Sequence, residues 1–239
     1  MKKIDHIAKR YKEKGEKHLK RQTVIREIVD HILTLKLDHP IRVGVSGITA
    51  SGKTTFANEL AEALFHRGQK IIRTSIDDFH NPRAIRYQQG KESAKGYYED
   101  AHDYKSIRER LLIPLGPEGN LHYELKSHDL ETDELVSAVP LVASNDAILV
   151  VDGTFLFKEE LKDLFDYKFF VDTDFDIARK RGSKRETEAF GSYEKAEEMF
   201  LSRYHAACHM YIQDYNPKDC ADVVVNNNSI DEPIITKNK

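Results

Sequence analysis

The chain of 239 residues lacks several features that would assign it to common classes of protein. Its two cysteines, Cys208 and Cys220, do not have the C-x-x-C spacing of a redox or metal motif, so no disulfide framework is expected. No apolar run approaches the length that a bilayer-spanning helix needs, and the first residues lack the apolar core of a signal peptide. We therefore expect a cytoplasmic protein with reduced thiols.

A surplus of charge of one sign is absent as well. The 37 Lys and Arg residues nearly balance the 40 Asp and Glu residues, for a formal net charge of -3, so the chain as a whole has no electrostatic footprint for nucleic acid. We expect neither nucleic acid nor a membrane as a partner, and a homo-oligomer stays open. The first 21 residues are an exception, with nine Lys or Arg against three acids.

Motifs of several enzyme classes are also missing. The chain has no N-K-x-D guanine motif of a GTPase and no G-x-S-x-G nucleophile elbow of a hydrolase. His205 and His209 have the i, i+4 spacing of a metal-ligand pair, but the Glu of H-E-x-x-H is absent. The aromatic and apolar residues around them favour helix packing over a zinc site.

A glycine-rich motif is the most informative feature that is present. Residues 47–54 read G-I-T-A-S-G-K-T and match G-x-x-x-x-G-K-[ST] at every fixed position. In this P-loop motif the backbone amides hold phosphates, Lys53 would neutralise the outer phosphates of ATP or GTP, and the Thr54 hydroxyl would bind Mg2+. The predicted nucleotide-binding residues are Gly47, Ile48, Thr49, Ala50, Ser51, Gly52, Lys53, Thr54 and Thr55.

The pattern of apolar residues predicts an α/β fold. Short apolar runs at 41–46, 71–76, 147–151, 168–171 and 222–225 read as strands, and helical patterns lie between them. Nearly continuous apolar strands are expected where both faces of a parallel sheet are covered. We predict a doubly wound sheet of about five mainly parallel strands with helices on both faces, preceded by an amphipathic helix within 1–38.

Acidic residues follow two of these strands. Asp77 and Asp78 come after 71–76, and Asp152 comes after 147–151. Because ligands bind beyond the carboxyl ends of parallel strands, these acids are expected to converge on the P-loop. Asp152 could then hold Mg2+, and Asp77 or Asp78 could accept a proton from an attacking hydroxyl. The alternative for Asp152 is a turn acid, because Asp-Gly is a common turn pair.

Five motifs in this order resemble the uridine kinase and phosphoribulokinase branch of the P-loop kinases. They are the glycine loop 47–54, S-I-D-D-F-H at 75–80, Y-E-L-K-S-H at 123–128, V-D-G-T at 151–154 and F-V-D-T-D at 170–174. The resemblance runs from about 41 to 225, and we place the kinase domain, with its lid, at 39–239. The segments 121–125 and 135–141 could add a hairpin or a small acceptor flap.

The resemblance also implies roles for individual residues. Asp77 matches the base that takes the proton of the acceptor hydroxyl and lies near the metal, with Asp78 and His80 in the same motif. Asp100, Tyr123 and His128 match positions that contact a nucleoside. Asp152 stands where uridine kinases usually have a metal-site Glu.

The predicted lid departs from the family pattern. Arg181 and Arg185 match the first lid arginines and would clamp the transferred phosphate, but 186–191 read E-T-E-A-F-G where further arginines are usual. The alternative is that both arginines are ordinary solvated charges. The basic segment 83–98 is either a second acceptor loop or a surface loop.

The resemblance predicts ATP-dependent, Mg2+-dependent phosphoryl transfer to a hydroxyl of a small molecule. Uridine and cytidine, converted to UMP and CMP in pyrimidine salvage, are the first acceptors expected. A sugar phosphate, pantothenate or another small alcohol is the nearest alternative. An NTP hydrolase and a nucleotide-binding regulator are alternatives of other classes.

Overall fold

The computed structural model describes residues 20–137 and 139–238, so most of the basic start predicted at 1–20 lies outside the described residues. Within those ranges, no helix combines the length and the apolar character that crossing a membrane requires.

Eight strands form two sheets in the described chain. Their bounds are β1 Ile41–Gly47, β2 Lys70–Ser75, β3 His122–Tyr123, β4 Leu141–Val142, β5 Ala147–Gly153, β6 Tyr167–Asp172, β7 Val223–Asn226 and β8 Ile234–Asn238. The main sheet has the order β2-β5-β1-β6-β7-β8, with parallel pairing except for β8. β3 and β4 form a small antiparallel pair. The predicted α/β sheet and its mainly parallel strands are confirmed.

Helices connect the parallel strands. Their bounds are α1 20–32, α2 Lys53–His66, α3 Arg83–Arg86, α4 Ala94–Asp100, α5 Tyr104–Ile107, α6 Phe175–Arg185, α7 Thr187–Phe190, α8 Tyr193–Met199, α9 His205–Tyr215 and α10 Pro217–Cys220. Two wide π turns, Arg108–Leu112 and Phe200–Tyr204, follow α5 and α8. Short 3-10 turns cover Ile76–Phe79 and Lys162–Leu164.

Both faces of the main sheet are covered by apolar side chains. On one face, Ile28 of α1 and Phe56 of α2 pack with Val43 of β1 in one core cluster. On the other face, Leu149 of β5 packs in a second cluster with residues that include Tyr211 of α9. Alternate residues of β5 enter the two clusters, and every residue of that strand is buried. This two-sided burial explains why the inner strands read as apolar runs.

Three local features of the fold, the end of α2, the β3–β4 pair and the edge strand β8, correspond to the sequence patterns or depart from them. α2 ends before Gly68, which has a positive φ of 80° and stops the helix as expected. The short pair of β3 with β4 joins the two ends of the segment that was predicted as a hairpin or flap, with Tyr123 opposite Leu141. The antiparallel edge strand β8 was not predicted, because its residues alternate between exposed and half-buried positions and include Thr, Lys and Asn.

The packing of α1 on the sheet predicts a measurable loss of stability in Ile28→Ala. Ile28 is 1% exposed, and removing a buried aliphatic side chain costs about 2–5 kcal/mol. We expect a decrease of that size in the free energy of unfolding, measured by urea denaturation followed by circular dichroism. Ile234→Ala is the matched control, since Ile234 is 63% exposed and should change stability by no more than about 0.5 kcal/mol. Equal effects of the two substitutions would contradict the prediction.

Candidate functional site

The glycine loop forms a tight turn between β1 and α2. Ala50 and Gly52 have positive φ angles of 67° and 96°, and the Ser51 amide donates to the Ile48 carbonyl at 3.0 Å. A Cβ on Gly47 would lie 2.7 Å from the Val171 carbonyl oxygen, so only glycine fits there. Gly52 precedes α2 without a side chain to cap it, which leaves the first helical amides directed at the loop. This backbone can hold phosphates.

Polar side chains outside the loop support it through hydrogen bonds to its backbone. The Ser51 carbonyl accepts hydrogen bonds from Thr173 Oγ1 at 3.0 Å and from Asn227 Nδ2 at 2.8 Å. The buried Ser51 Oγ has no hydrogen-bond partner among the described residues. The bracing holds the strained φ of Ala50, because such a conformation persists only where its surroundings enforce it.

Helix α9 braces the same loop from one side. His205 Nε2 lies 3.1 Å from the Thr49 carbonyl oxygen, and the Thr49 amide donates to Cys208 Sγ at 3.5 Å. Burial raises the pKa of the Cys208 thiol, so this sulfur stays protonated. His209 instead stacks on Phe175, with ring centroids 3.9 Å apart. These contacts agree with helix packing rather than a His205–His209 metal pair.

Thr54 and Asp152 meet at the base of the loop. The Thr54 hydroxyl donates to Asp152 Oδ2 at 2.6 Å, and Asp152 is 1% exposed. Hydroxyl and carboxylate oxygens are ligands that Mg2+ accepts. The other carboxylate oxygen pairs with Arg73 Nη2. Arg73 was not predicted; it reaches Asp152 because β2 pairs with β5, and a single sequence does not reveal that register.

The adjacent acids Asp77 and Asp78 have different surroundings. Asp78 accepts hydrogen bonds from Thr74 Oγ1 at 3.1 Å and from the Ser75 amide at 3.4 Å, as part of a capping box on the turn after β2. Its carboxylate therefore stabilises the backbone. Asp77 faces a cleft, with 68% of its side chain exposed. Of the two, Asp77 is the one available to a ligand.

Two histidines flank Asp77. His102 Nε2 lies 3.7 Å from Asp77 Oδ1, and the His80 and His102 ring centroids are 4.6 Å apart. His80 Nδ1 lies 2.8 Å from the Asp77 carbonyl oxygen, which orients its ring. Ligand atoms of the three residues all lie within 4.8 Å of one another, so this cluster could also hold a metal ion. His102 was not predicted as a site residue.

The charges around Asp77 favour its ionised form. Desolvation by the surrounding protein raises the pKa of Asp77. The contact with His102 and the positive charges of His80, His102 and Lys53 have a larger, opposite effect and hold this pKa well below its ordinary value. Burial and the neighbouring His102 lower the pKa of His80 to about 4, so this imidazole is neutral near pH 7. Asp77 is therefore a carboxylate that accepts hydrogen bonds across the neutral range.

Asp77 and His80 line a cavity of about 420 Å³. The other lining residues are Arg86, Tyr87, Tyr97, Ala101, Leu130, Glu186, Arg203 and Tyr204. Arg86 belongs to the basic segment 83–98 and is the one Lys or Arg of that segment in this lining. Arg203 was not predicted, because a lone arginine inside a helical pattern has no signal that separates it from a surface charge.

Asp100, Tyr123 and His128 do not line this cavity. Asp100 accepts a hydrogen bond from Gln89 at 2.7 Å, and the buried Tyr123 packs in the core from the flap. His128 is fully buried, with Nε2 3.2 Å from Asp133 Oδ1. The three positions are therefore not part of the lining that contains Asp77, although the His128 amide donates to the Asp78 carbonyl at 3.3 Å.

Asp133 holds the flap to the segment that carries Arg86. It accepts from the Arg83 backbone amide at 3.0 Å and lies 3.3 Å from Arg86 Nη2, in addition to its contact with His128. The contacts with Arg83 lower the pKa of Asp133, although burial raises it. His128 therefore belongs to a structural cluster beside the cavity.

The two predicted lid arginines have partners other than Asp77 and Lys53. Arg181 donates to the carbonyl oxygens of Asn227 and Asn228 at 2.9 and 2.7 Å. Arg185 is 64% exposed and pairs with Glu186 at 2.8 Å. Neither reaches Asp77 or Lys53 in this conformation, and Arg181 would have to break two hydrogen bonds to do so.

Comparison with known proteins gives matches over most of this chain. Residues 42–231 match the model of the phosphoribulokinase / uridine kinase family. A uridine kinase from Lactobacillus helveticus is 27% identical over 195 residues, covering 80% of this chain and 88% of that protein. The uridine-cytidine kinase B of Dictyostelium discoideum is 30% identical over 195 residues, covering 78% and 74%.

A solved structure shows the same fold. The structure of a possible uridine kinase from Bacillus stearothermophilus superposes with a TM-score of 0.66 at 25% identity, and the match covers 85% of this chain and 97% of that one.

The histidine beside Asp77 generates a prediction about ionisation. In His102→Phe the contact that stabilises the Asp77 carboxylate is lost, so the pKa of Asp77 should rise. As the pH falls, the carboxyl should take up its proton at a higher pH in this variant than in the unsubstituted protein. The measurement is the 13C shift of the Asp77 carboxyl during an acid titration. The control is His209→Phe, at an exposed ring that stacks on Phe175, and an unchanged titration in His102→Phe would contradict the assignment.

Proposed function

We propose a reaction for this chain from the premise that it belongs to the phosphoribulokinase and uridine kinase family and is a kinase. The proposed reaction is transfer of the γ-phosphoryl group of ATP to a hydroxyl group of a small molecule bound in the 420 Å³ cavity. One observation carries this proposal: Asp77 opens to the cavity, and hydrogen bonds connect it to the base of the glycine loop. Its backbone amide donates to Ser75 Oγ at 3.3 Å, Ser75 Oγ donates to the Asp152 carbonyl at 3.2 Å, and the Asp152 carboxylate accepts from Thr54. Donor and acceptor sites therefore adjoin each other.

The donor side rests on the loop and on Asp152. The positive φ angles, the uncapped start of α2 and the unpartnered Ser51 hydroxyl suit bound phosphates. Thr54 and Asp152 would hold Mg2+, whose charge would offset that of the phosphates. Arg73 would share the Asp152 carboxylate and keep it oriented. Lys53 would neutralise charge on the outer phosphates.

The acceptor side rests on Asp77. Its carboxylate would accept the proton of the attacking hydroxyl and align its oxygen with the phosphorus atom. The oxygen–phosphorus bond would form as the bond between the γ-phosphorus and the bridging oxygen breaks, with ADP as the leaving group. Arg181 and Arg185 would stabilise the transferred group only after the lid moves, because both have other partners in the structure.

The names of the relatives make uridine and cytidine the first acceptors to test. Tyr123, His128 and Asp100 lie outside the cavity lining, so the support for a nucleoside comes from those names more than from the cavity. The arginines of the cavity favour a second, anionic class of acceptor. A simple NTP hydrolase is less well supported, because a cavity beside Asp77 would then have no use.

The role of Asp77 can be tested by substitution. Asp77→Asn should lower kcat by about 10²- to 10⁴-fold, the usual contribution of a positioned base, and leave the Kd of ATP nearly unchanged. The assay is acceptor-dependent ADP formation with Mg2+ over nucleosides, sugar phosphates and pantothenate, with Lys53→Ala as the blank. Asp78→Asn should retain the chemistry while losing thermal stability. Near-normal kcat in Asp77→Asn would assign the base elsewhere.

The metal site can be tested separately. Asp152→Asn should weaken binding of ATP in the presence of Mg2+ but have a much smaller effect in EDTA, because the carboxylate would act on the metal. Isothermal titration calorimetry with a non-hydrolysable ATP analogue measures both affinities. Asp174→Asn, at an acid beside α6, is the matched control. An equal loss of affinity with and without Mg2+ would contradict a metal role for Asp152.

A further inference from the structure

Arg203 is a buried cation without an acidic partner in the part of the chain that the structure describes. It is 9% exposed, it lines the cavity, and its Nε is buried without a hydrogen-bond partner. No carboxylate of the described residues lies within ion-pair distance of it. Burying a charge is costly unless the charge is paired, so a bound anion would stabilise this side chain.

Aromatic rings surround the Arg203 guanidinium. Its central carbon lies 4.7 Å from the ring centroid of Tyr97, 5.0 Å from that of Tyr204 and 5.9 Å from that of Tyr87. Rings that contact the face of a guanidinium stabilise its charge and hold its plane, while the N–H groups at its edge remain available as donors.

The π turn Phe200–Tyr204 presents this arginine. The wide turn interrupts the regular helix between α8 and α9, and it carries both Arg203 and Tyr204. Turns of this kind occur often at functional sites, because they reorient side chains that a regular helix would place elsewhere.

Arg86 adds a second buried guanidinium to the same lining. It is 9% exposed, and its Nε is also buried without a hydrogen-bond partner among the described residues. Its Nη2 lies 3.3 Å from Asp133, so its charge is partly compensated. The cavity thus has unused N–H donors from two arginines.

The acids of the lining do not compensate Arg203. Glu186 pairs with Arg185 at 2.8 Å, and Asp77 lies against His102. The cavity therefore combines a hydrogen-bond acceptor at Asp77 with an excess of cationic donors at Arg203 and Arg86. A ligand that complements both has a hydroxyl group and an anionic group.

We propose that the acceptor is a small alcohol that carries a carboxylate or a phosphate, bound by Arg203 with help from Arg86. This inference rests on the proposed phosphoryl transfer and names its substrate class. The hydroxyl oxygen would form the new bond to the γ-phosphorus, the bond to the bridging oxygen of ATP would break, and the hydroxyl proton would pass to Asp77. The products would be ADP and a phosphate ester that keeps the original anionic group.

Paired acceptors test the proposal by direct binding. The protein is saturated with Mg2+ and a non-hydrolysable ATP analogue, so that added anions do not enter the phosphate loop. It is then titrated calorimetrically with D-glycerate against glycerol, ribose 5-phosphate against ribose, pantothenate against panthenol, and uridine as the neutral nucleoside. Charge-assisted hydrogen bonds should make the anionic member of at least one pair bind about tenfold more tightly, or better, and more tightly than uridine.

Variants attribute this preference to Arg203. Arg203→Gln should abolish the preference, Arg203→Lys should retain part of it, and Arg108→Gln, at an exposed arginine, should leave it intact. Thermal melts show whether each variant is folded. If Arg203→Gln does not fold, the comparison of Arg203→Lys with the unsubstituted protein decides, and an unchanged preference there overturns the assignment.

Other outcomes separate this inference from the proposed function. Equal affinity within every pair, tighter binding of uridine, or a preference that survives Arg203→Gln would overturn the anionic acceptor. Phosphoryl transfer to uridine that is insensitive to Arg203→Gln would also overturn it while leaving the kinase reaction in place. An Arg203-dependent anion preference without acceptor-dependent ADP formation would support the anion site and overturn the proposed reaction.

Discussion

Parallel pairing of β5 with both β1 and β2 positions the polar groups of the site. Val45 lies opposite Asp152 on one side of β5, and Ser75 lies opposite Asp152 on the other. The three strands therefore end at the same level, where the glycine loop, the buried carboxylate and the turn that carries Asp77 come together. Because a slip of one residue would turn Asp152 towards the opposite face, the buried apolar residues of β5 also fix the position of this acid.

Local sequence patterns were enough to predict the fold and the loop. The glycine motif, the apolar strands and the acids after them are short-range signals whose meaning does not depend on distant residues. The edge strand β8 was missed because a half-exposed strand with polar residues resembles a loop. Whether Asp77 or Asp78 faces the cleft was also undecided, since it depends on the hydrogen bonds of the capping turn.

The residues of the candidate site that the sequence did not predict contact partners that are far from them in the chain. Arg73 meets Asp152 through strand register, and His102 meets Asp77 through the turn before α5. Arg203 enters the cavity from a helical segment far along the chain from Arg86, which belongs to the segment 83–98 that was considered as an acceptor loop. Conversely, Tyr123 and His128 were selected by a motif, and their places were set by the packing of the flap. Motifs identify residue types in order, but the final position of a side chain depends on its partners.

The helical segment from Phe200 to Tyr215 contacts both halves of the site. Arg203 and Tyr204 face the cavity at its start, and His205 and Cys208 contact Thr49 of the glycine loop one turn further on. Ligands on the two sides would thus contact one helical segment, and any free energy of coupling between them would be reciprocal. A substitution that loosens this segment would show its effect in how strongly one ligand changes the affinity for the other, even where each ligand alone binds normally.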